Sequence, residues 1–498
     1  MTVVAGRPRL EPADLDRLRR MPTRFVCSGC GFAAPPERAV PMRCPDARPG
    51  DDIDHVLRRT IELADIAFPA GGHASPFETY RELFHAFHVV RALGSSDAEY
   101  IDVVRRLDGA IAAVDGHGFV PKPLLAPTAL RARLGMSGEV VVKDETGNVA
   151  GSHKARHLAG TALELDAAAR LPGGPGIRAP LAIASCGNAA LAAAVVAAAW
   201  RRELQVFVPP TADPWILGRL RELGARVAIV ARAAGEPGDP TYRALREAIA
   251  GGALPFTCQG NENGLAIEGG ETLGYELVSD LTARGLTLDR LFVQVGGGAL
   301  ASSVSQALEE AHALGVIGRL PRIHAVQSRN VQPLVRAYRR VVESLAPRLG
   351  AGEDVPGPGA PPAAWRRLAD RLRDAVAEPA GAAVLAAVPG RRSAWMWPWE
   401  DEPHSVAEGI IDDETYDWFA VVRAMVRTGG FPIPATEAAL ETAGELGREA
   451  TGIDVDATGT AGLAGLMTLR DTGEVEPDET VGLLFTGVRR TTGIGEHG

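Results

Sequence analysis

Cysteine is scarce, five in 498 residues, too few for a disulfide framework in so long a chain. That scarcity fits a reducing compartment, and a cytoplasmic location is the expectation. No apolar run approaches the roughly 20 residues of a membrane span, and the first residues lack the charged-then-apolar plan of a secretory signal. A membrane partner is therefore not expected. Positive charge is in deficit: 52 Lys and Arg face 62 Asp and Glu, a formal net charge of −10 spread along the chain. That balance argues against nucleic acid as a partner. What remains is ordinary globular apolar content, 46% of residues, in a chain long enough for about three domains.

Residues 1–60 stand apart. Cys27-Ser-Gly-Cys30 followed by Cys44 is similar to half of a zinc ribbon, in which paired thiolates give tetrahedral coordination. Ala47 stands where a fourth cysteine would fall, so Asp46 or His55 is needed to complete a structural zinc site. The alternative is a knuckle held by packing alone. Residues 61–120 carry the apolar spacing of helices. From Val140 onward strand and helix alternate: strands at 140–142, 180–184, 204–209, 227–230, 290–295, 322–327 and 481–485, with helical stretches between most of them. Such a rhythm predicts an α/β fold built on open parallel sheets covered by helices on both faces. The expected organisation is a Cys-containing N-terminal appendage (1–60), a large domain (61–155 and 250–498) and a small one (156–249). The Pro/Gly-rich, Trp-containing stretch 346–400 interrupts the rhythm and is expected as an inserted surface excursion, followed by helices at 413–426 and 435–451.

Chemistry concentrates at four turns that follow strands, where open α/β sheets place ligands. Val140–Val142 leads through Gly147 and Gly151 to Ser152-His153-Lys154 at the start of an apolar helix. Ser185-Cys186-Gly187-Asn188 follows the strand ending at Ala184. Gly296-Gly297-Gly298-Ala299-Leu300 joins the strand ending at Val295 to a helix. Thr486 ends the last strand. Together these suit pyridoxal phosphate (PLP), which needs an amine for its aldehyde, a phosphate cradle, and partners for its phenolic oxygen and ring nitrogen. Three glycines before a helix start let N–H groups approach a phosphate. The spacing is not the dinucleotide fingerprint. Asn188 either caps its helix or donates to the phenolic oxygen. Cys186, with no basic neighbour in sequence, reads as a small buried filler rather than a nucleophile. Thr486 either caps a turn or sets its hydroxyl against the ring nitrogen.

Lys-Asp-Glu-Thr-Gly-Asn148, Gly-Ser-His-Lys154, Ser-Cys-Gly-Asn188, Glu268-Gly-Gly-Glu-Thr272, the glycine loop and Thr486-Gly487 occur in this order. In them the chain resembles the fold type II PLP enzymes, the tryptophan-synthase-β-like superfamily that includes threonine synthase and serine/threonine ammonia-lyases. The resemblance covers about 120–340 and 405–490. It implies two three-layer αβα domains with the cofactor in the cleft between them. It makes Lys154 the lysine that forms the Schiff base and moves the substrate α-proton. It assigns the phosphate to Gly296, Gly297, Gly298, Ala299 and Leu300, and the ring nitrogen to Thr486. The amino-acid carboxylate falls to Ser152, Ser185, Cys186, Gly187 and Asn188. The implied activity is β- or γ-elimination or replacement on a hydroxy- or O-phospho-amino acid, as in threonine synthase. The alternative is a serine/threonine ammonia-lyase of L or D specificity, and the remote one a PLP-fold scaffold kept for binding. A homodimer is implied. His153, where threonine synthases carry Phe, and Ala155, where they carry Asp, depart from that family's pattern.

Overall fold

The computed structural model of the protein describes residues 10–69, 74–174, 179–232, 238–350, 355–357, 360–401 and 403–490. Among the described residues, twelve strands form three sheets. β1 (Thr23–Cys27) and β2 (Leu57–Ile61) make an antiparallel pair near the N-terminus. The large sheet contains β3 (Leu124–Leu125), β4 (Val140–Asp144), β9 (Arg290–Gln294), β10 (Arg322–Ser328), β11 (Ile433–Ala435) and β12 (Val481–Phe485). Its order is β11-β10-β9-β12-β4-β3, parallel except for β3. A second, fully parallel sheet has the order β7-β6-β5-β8, from β5 (Leu181–Ala184), β6 (Leu204–Val208), β7 (Arg226–Ile229) and β8 (Leu254–Pro255). This is the two-domain α/β architecture expected of the sequence.

The central strands are continuous apolar runs because both faces are covered. β9 and β12 are buried at every position. Their side chains join one core with those of the flanking helices. β12 lies between β9 and β4, pairing Leu483 with Phe292 on one side and Val142 on the other. With strands about 4.8 Å apart, the turns leaving β4, β9 and β12 open side by side at one edge of the sheet.

The helix Lys154–Ala168 carries the lysine and is buried at thirteen of its positions. It crosses the helix Ala266–Ala283 at a glycine pair, where a Cβ on Gly160 would lie 2.5 Å from the Gly269 Cα. Arg156 reinforces that crossing. Its guanidinium grips the Glu145 carboxylate through two bonds of 2.8 Å and donates to Glu276 at 2.7 Å. A second buried charge cluster ties β2 to the same helix. Arg59 meets Glu310 at 2.9 Å and Glu268 at 3.1 Å, and also contacts Glu271, with the Tyr275 hydroxyl among them.

Two stretches differ from the sequence reading. Residues 362–386 are not a surface excursion. They form the helices Pro362–Ala377 and Pro379–Ala386, whose Leu368, Leu372, Val376 and Leu385 enter the large core. Part of the Pro/Gly-rich text before them, 358–359, lies outside the described residues. The helix expected from Asp413 begins instead at Trp418. Residues 408–417 are turned aside over the glycine loop, where Thr415 Oγ1 donates to the Gly296 carbonyl and the Asp417 amide to that of Gly297.

Candidate active site

The β4 turn runs from Glu145 to His153 and places Lys154 at the first position of its helix. Ala150 and Gly151 both have positive φ, 54° and 68°, a conformation that costs a non-glycine residue about 1 kcal/mol or more. Ala150 is held there by its amide, which donates to Asp115 Oδ2 at 2.8 Å, and by its carbonyl, which accepts from Arg490 at 2.9 Å. Ser152 bridges to Gly487, so the lysine turn and the β12 turn are stitched together.

The chain has three lysines. Lys122 donates to the Gly147 carbonyl, and Lys143 is buried among the Lys122 carbonyl, Glu276 and Asp280. Lys154 alone of the three carries no hydrogen bond or ion pair among the described residues. Its side chain is half-buried, and its charge reaches Asp412, Asp417 and Cys258.

The glycine loop behaves as an anion cradle. Gly298 takes φ 99° at the N-cap, and the helix Ala299–Ala313 follows with its first amides unpaired within the helix. A carboxylate already leans on this loop: a Cβ on Gly296 would overlap Asp412 Oδ2, and the Gly297 amide faces the same group. Burial pushes Asp412 up to about 6, with the Lys154 charge opposing that rise.

Thr486 is oriented by Gln294, whose Nε2 donates to its Oγ1 at 2.6 Å. The same Nε2 also donates to the Leu484 and Gly459 carbonyls, which fixes which end of that amide is which. Because the Thr486 oxygen accepts there, its own proton is free for an acceptor such as an unprotonated pyridine nitrogen. Asn188 is fixed in the same manner. Arg490 bonds its Oδ1, so the Nδ2 end is the donor, and it meets the Asp456 carboxylate. Gly187, not Asn188, is the N-cap of that helix, so the capping alternative for Asn188 falls away. Ser185 Oγ accepts from the Gly187 amide at 3.4 Å, and the first-turn amides beyond it remain for a carboxylate. Cys186 is exposed rather than a buried filler. Partial burial, with Glu408, Asp239 and Asp412 nearby, pushes its thiol pKa up, so it is a poor nucleophile.

These residues fit pyridoxal phosphate. An unpartnered amine, an anion-binding turn, a hydroxyl with a free proton and an oriented amide converge. Buried Ser152 Oγ adds a polar group without a partner. The fold and site thus define a fold type II PLP enzyme. Residues 117–395, more than half of the chain, match the family described as "Pyridoxal-phosphate dependent enzyme", and the protein belongs to that family. No protein with a curated description matches it. Among solved structures it is similar to a T.th. threonine deaminase, with 20% identity and a TM-score of 0.51 over 78% of this chain and 98% of that one. Maize serine racemase gives 16% and 0.51 over 79% and 94%. Diaminopropionate ammonia lyase from Escherichia coli gives 15% and 0.53 over 79% and 89%. At these identities the likeness is one of fold.

Several site residues had no announcing motif: Gln294, Asp412, Asp417, Asp456 and Arg490. The first lies inside a strand, and the others come from segments more than a hundred residues past the glycine loop. Asp417 is buried, and neither carboxylate oxygen has a well-formed hydrogen bond. Burial raises its pKa to about 7, while the Gly260 amide and the Lys154 charge oppose that rise. A carboxyl with a raised folded pKa destabilises the fold as pH climbs from its unfolded value of about 4 through about 7. Asp417→Asn is therefore expected to match the wild type at pH 4 and exceed it at pH 8 by on the order of 2 kcal/mol. Urea melts at the two pH values check this, and equal stability at pH 8 would remove the argument.

Proposed function

We propose that this protein is a PLP-dependent amino-acid lyase of the ammonia-lyase kind, acting on a small amino acid whose β-substituent is a hydroxyl or an amine. The fold does not choose among the reactions it hosts, so the reading rests on the site residues. Bound PLP would withdraw electrons from the substrate Cα and make its proton removable. Lys154 Nζ would take and return that proton. The amides of the Ser185–Asn188 turn and Ser152 Oγ would hold the carboxylate, and the Gly296–Leu300 amides the cofactor phosphate. A Thr486 hydroxyl at the ring nitrogen supports an unprotonated ring, whose weaker electron withdrawal suits elimination better than transamination.

The observation that supports this substrate class is a group of acidic side chains. Glu408, Asp239 and Asp412 bear on Cys186 in the carboxylate-binding turn, and Asp239 and Asp413 bear on Asp412. A second phosphate on the substrate would meet like charge there. A hydroxyl or ammonium would not. Asp412, with its pKa near 6, is also suited to protonate a departing oxygen or nitrogen. The threonine-synthase-type reading on an O-phospho substrate is therefore the second choice. Homodimer formation remains an expectation from the family resemblance.

The test is a panel of L- and D-serine, threonine, 2,3-diaminopropionate, O-phosphoserine and O-phosphohomoserine, followed by ammonia and 2-oxo acid release. Turnover of an unphosphorylated member at least about 100-fold above the phosphorylated ones is expected, a preference of roughly 2.7 kcal/mol. Preference for a phosphorylated substrate would reverse the assignment.

A further inference from the structure

We propose that Cys27, Cys30, Cys44 and His55 bind one structural zinc ion, in a Cys3His site that clamps the N-terminal appendage against residues 389–393. Three of these were legible as a run of cysteines, and the structure supplies the fourth. The ligand atoms of all four residues lie within 4.8 Å of one another. Cys30 Sγ is 3.6 Å from Cys44 Sγ, and Cys27 Sγ is 3.6 Å from His55 Nδ1. Bonds of about 2.3 Å to sulfur and about 2.0 Å to nitrogen set tetrahedral edges of roughly 3.8 Å between sulfurs and roughly 3.5 Å between sulfur and nitrogen. The two 3.6 Å spacings are close to the edges of such a tetrahedron, and the remaining four lie within 4.8 Å. They do not match a disulfide, which would need about 2.05 Å. Asp46 is not part of the group.

The surroundings support the same ligand set. His55 Nε2 meets the Asp51 carboxylate at 3.2 Å, the outer-shell contact that fixes an imidazole so that its other nitrogen faces a metal. The Phe32 amide donates to Cys30 Sγ at 3.5 Å. The turn between the first two cysteines closes through bonds from the Gly31 amide to the Cys27 carbonyl and from the Cys27 amide to the Phe32 carbonyl, with Gly31 at φ 76°. Gly29 is pressed against the Asp54 carbonyl and Ile53 beside His55, where no Cβ fits. All-sulfur-and-imidazole tetrahedral donors of this kind select zinc over magnesium or calcium. On binding, each thiol gives its proton to solvent and becomes a thiolate ligand.

The loop that supplies His55 also grips residues 389–393. The Asp52 carbonyl accepts from the Arg392 amide at 2.6 Å, and its carboxylate accepts from the Ser393 amide and hydroxyl, each at 2.7 Å. The Asp54 amide donates to the Pro389 carbonyl at 2.8 Å. Arg392 then pairs with Asp54 and with Glu414, two residues from Asp412 on the segment that covers the glycine loop. Metal binding is thus coupled to the position of residues 389–393 and, through Arg392, of Glu414, independently of which amino acid the enzyme uses.

The test uses the full chain purified with a reductant and without chelator. Elemental analysis is expected to find about one zinc per chain. Replacement by cobalt is expected to give the visible bands of a tetrahedral centre and the near-ultraviolet sulfur-to-cobalt bands of three thiolates. Cys44→Ser and His55→Ala are expected to lose the metal, and His55→Cys to keep it with altered cobalt bands. Zinc removal is expected to lower Tm while the cofactor remains attached to Lys154. Because the cobalt spectrum is taken on the unmutated chain, a variant that fails to fold does not blunt the test. Substoichiometric metal with no cobalt bands, iron in place of zinc, or full zinc retention in a folded Cys44→Ser, His55→Ala double variant would each overturn the proposal.

Discussion

Lys154→Ala is expected to fold, to take up pyridoxal phosphate reversibly, and to lose turnover by a factor of about 10³ or more. The amine is the only lysine nitrogen without a partner among the described residues, so no other lysine can replace it without breaking a buried contact. Cofactor uptake survives because the anion cradle, the Thr486 hydroxyl and the Asn188 amide stand on separate elements. Two measurements separate this outcome from simple misfolding. Borohydride reduction followed by peptide mass spectrometry is expected to put the pyridoxyl group on Lys154 in the wild type and nowhere in the variant. Equilibrium dialysis is expected to show retained cofactor binding in the variant. Label recovered on Lys122 or Lys143, or a variant with full activity, would mean that the site has been read wrongly.

Arg59→Met is expected to remove about 3–5 kcal/mol of stability, the usual cost of stranding one side of a buried ion pair. Arg59 is 2% exposed and faces Glu268, Glu271 and Glu310, all buried. Even beside that guanidinium, burial raises Glu268 to about 7 and Glu271 to about 8. With the cation gone their folded pKa values rise further. A carboxyl raised above its unfolded pKa loses stability as pH increases, so the defect is expected to be severe at pH 8 and partly relieved near pH 5. Denaturant melts across that range check the sign. Arg59→Lys is expected to fall between, because a point charge cannot reach three carboxylates in the fork geometry of a guanidinium. A loss under about 1 kcal/mol with no pH dependence would show that the cluster is neutral in the folded protein.

Much of the scaffold could be seen in the text of the chain. β4, β5, β6, β9, β10 and β12 have short apolar centres bounded by glycine or a polar turn, the pattern of strands buried on both faces. The turns at their ends carry their glycines in sequence order, which is why Lys154, Asn188, the 296–300 loop and Thr486 could be named. β3, β8 and β11 could not, being two or three residues long and held by neighbouring strands rather than by their own pattern. β2 hides because its alternation runs through arginines, one of which is buried with three carboxylates. The helices after Pro361 were masked by surrounding proline and glycine. Asp412, Asp417, Asp456 and Arg490 had no local signature, since each depends on long-range packing. His55 was one of two choices, and only the closing of β1 against β2 separates it from Asp46.

The glycine-on-glycine crossing of Gly160 and Gly269 leaves the lysine-bearing helix no slack. Any side chain at either position would lever the two rods apart and carry the amine away from its cradle. Residues 408–417 lie over the glycine loop and not at this crossing, so side chains can differ there while the amine keeps its seat.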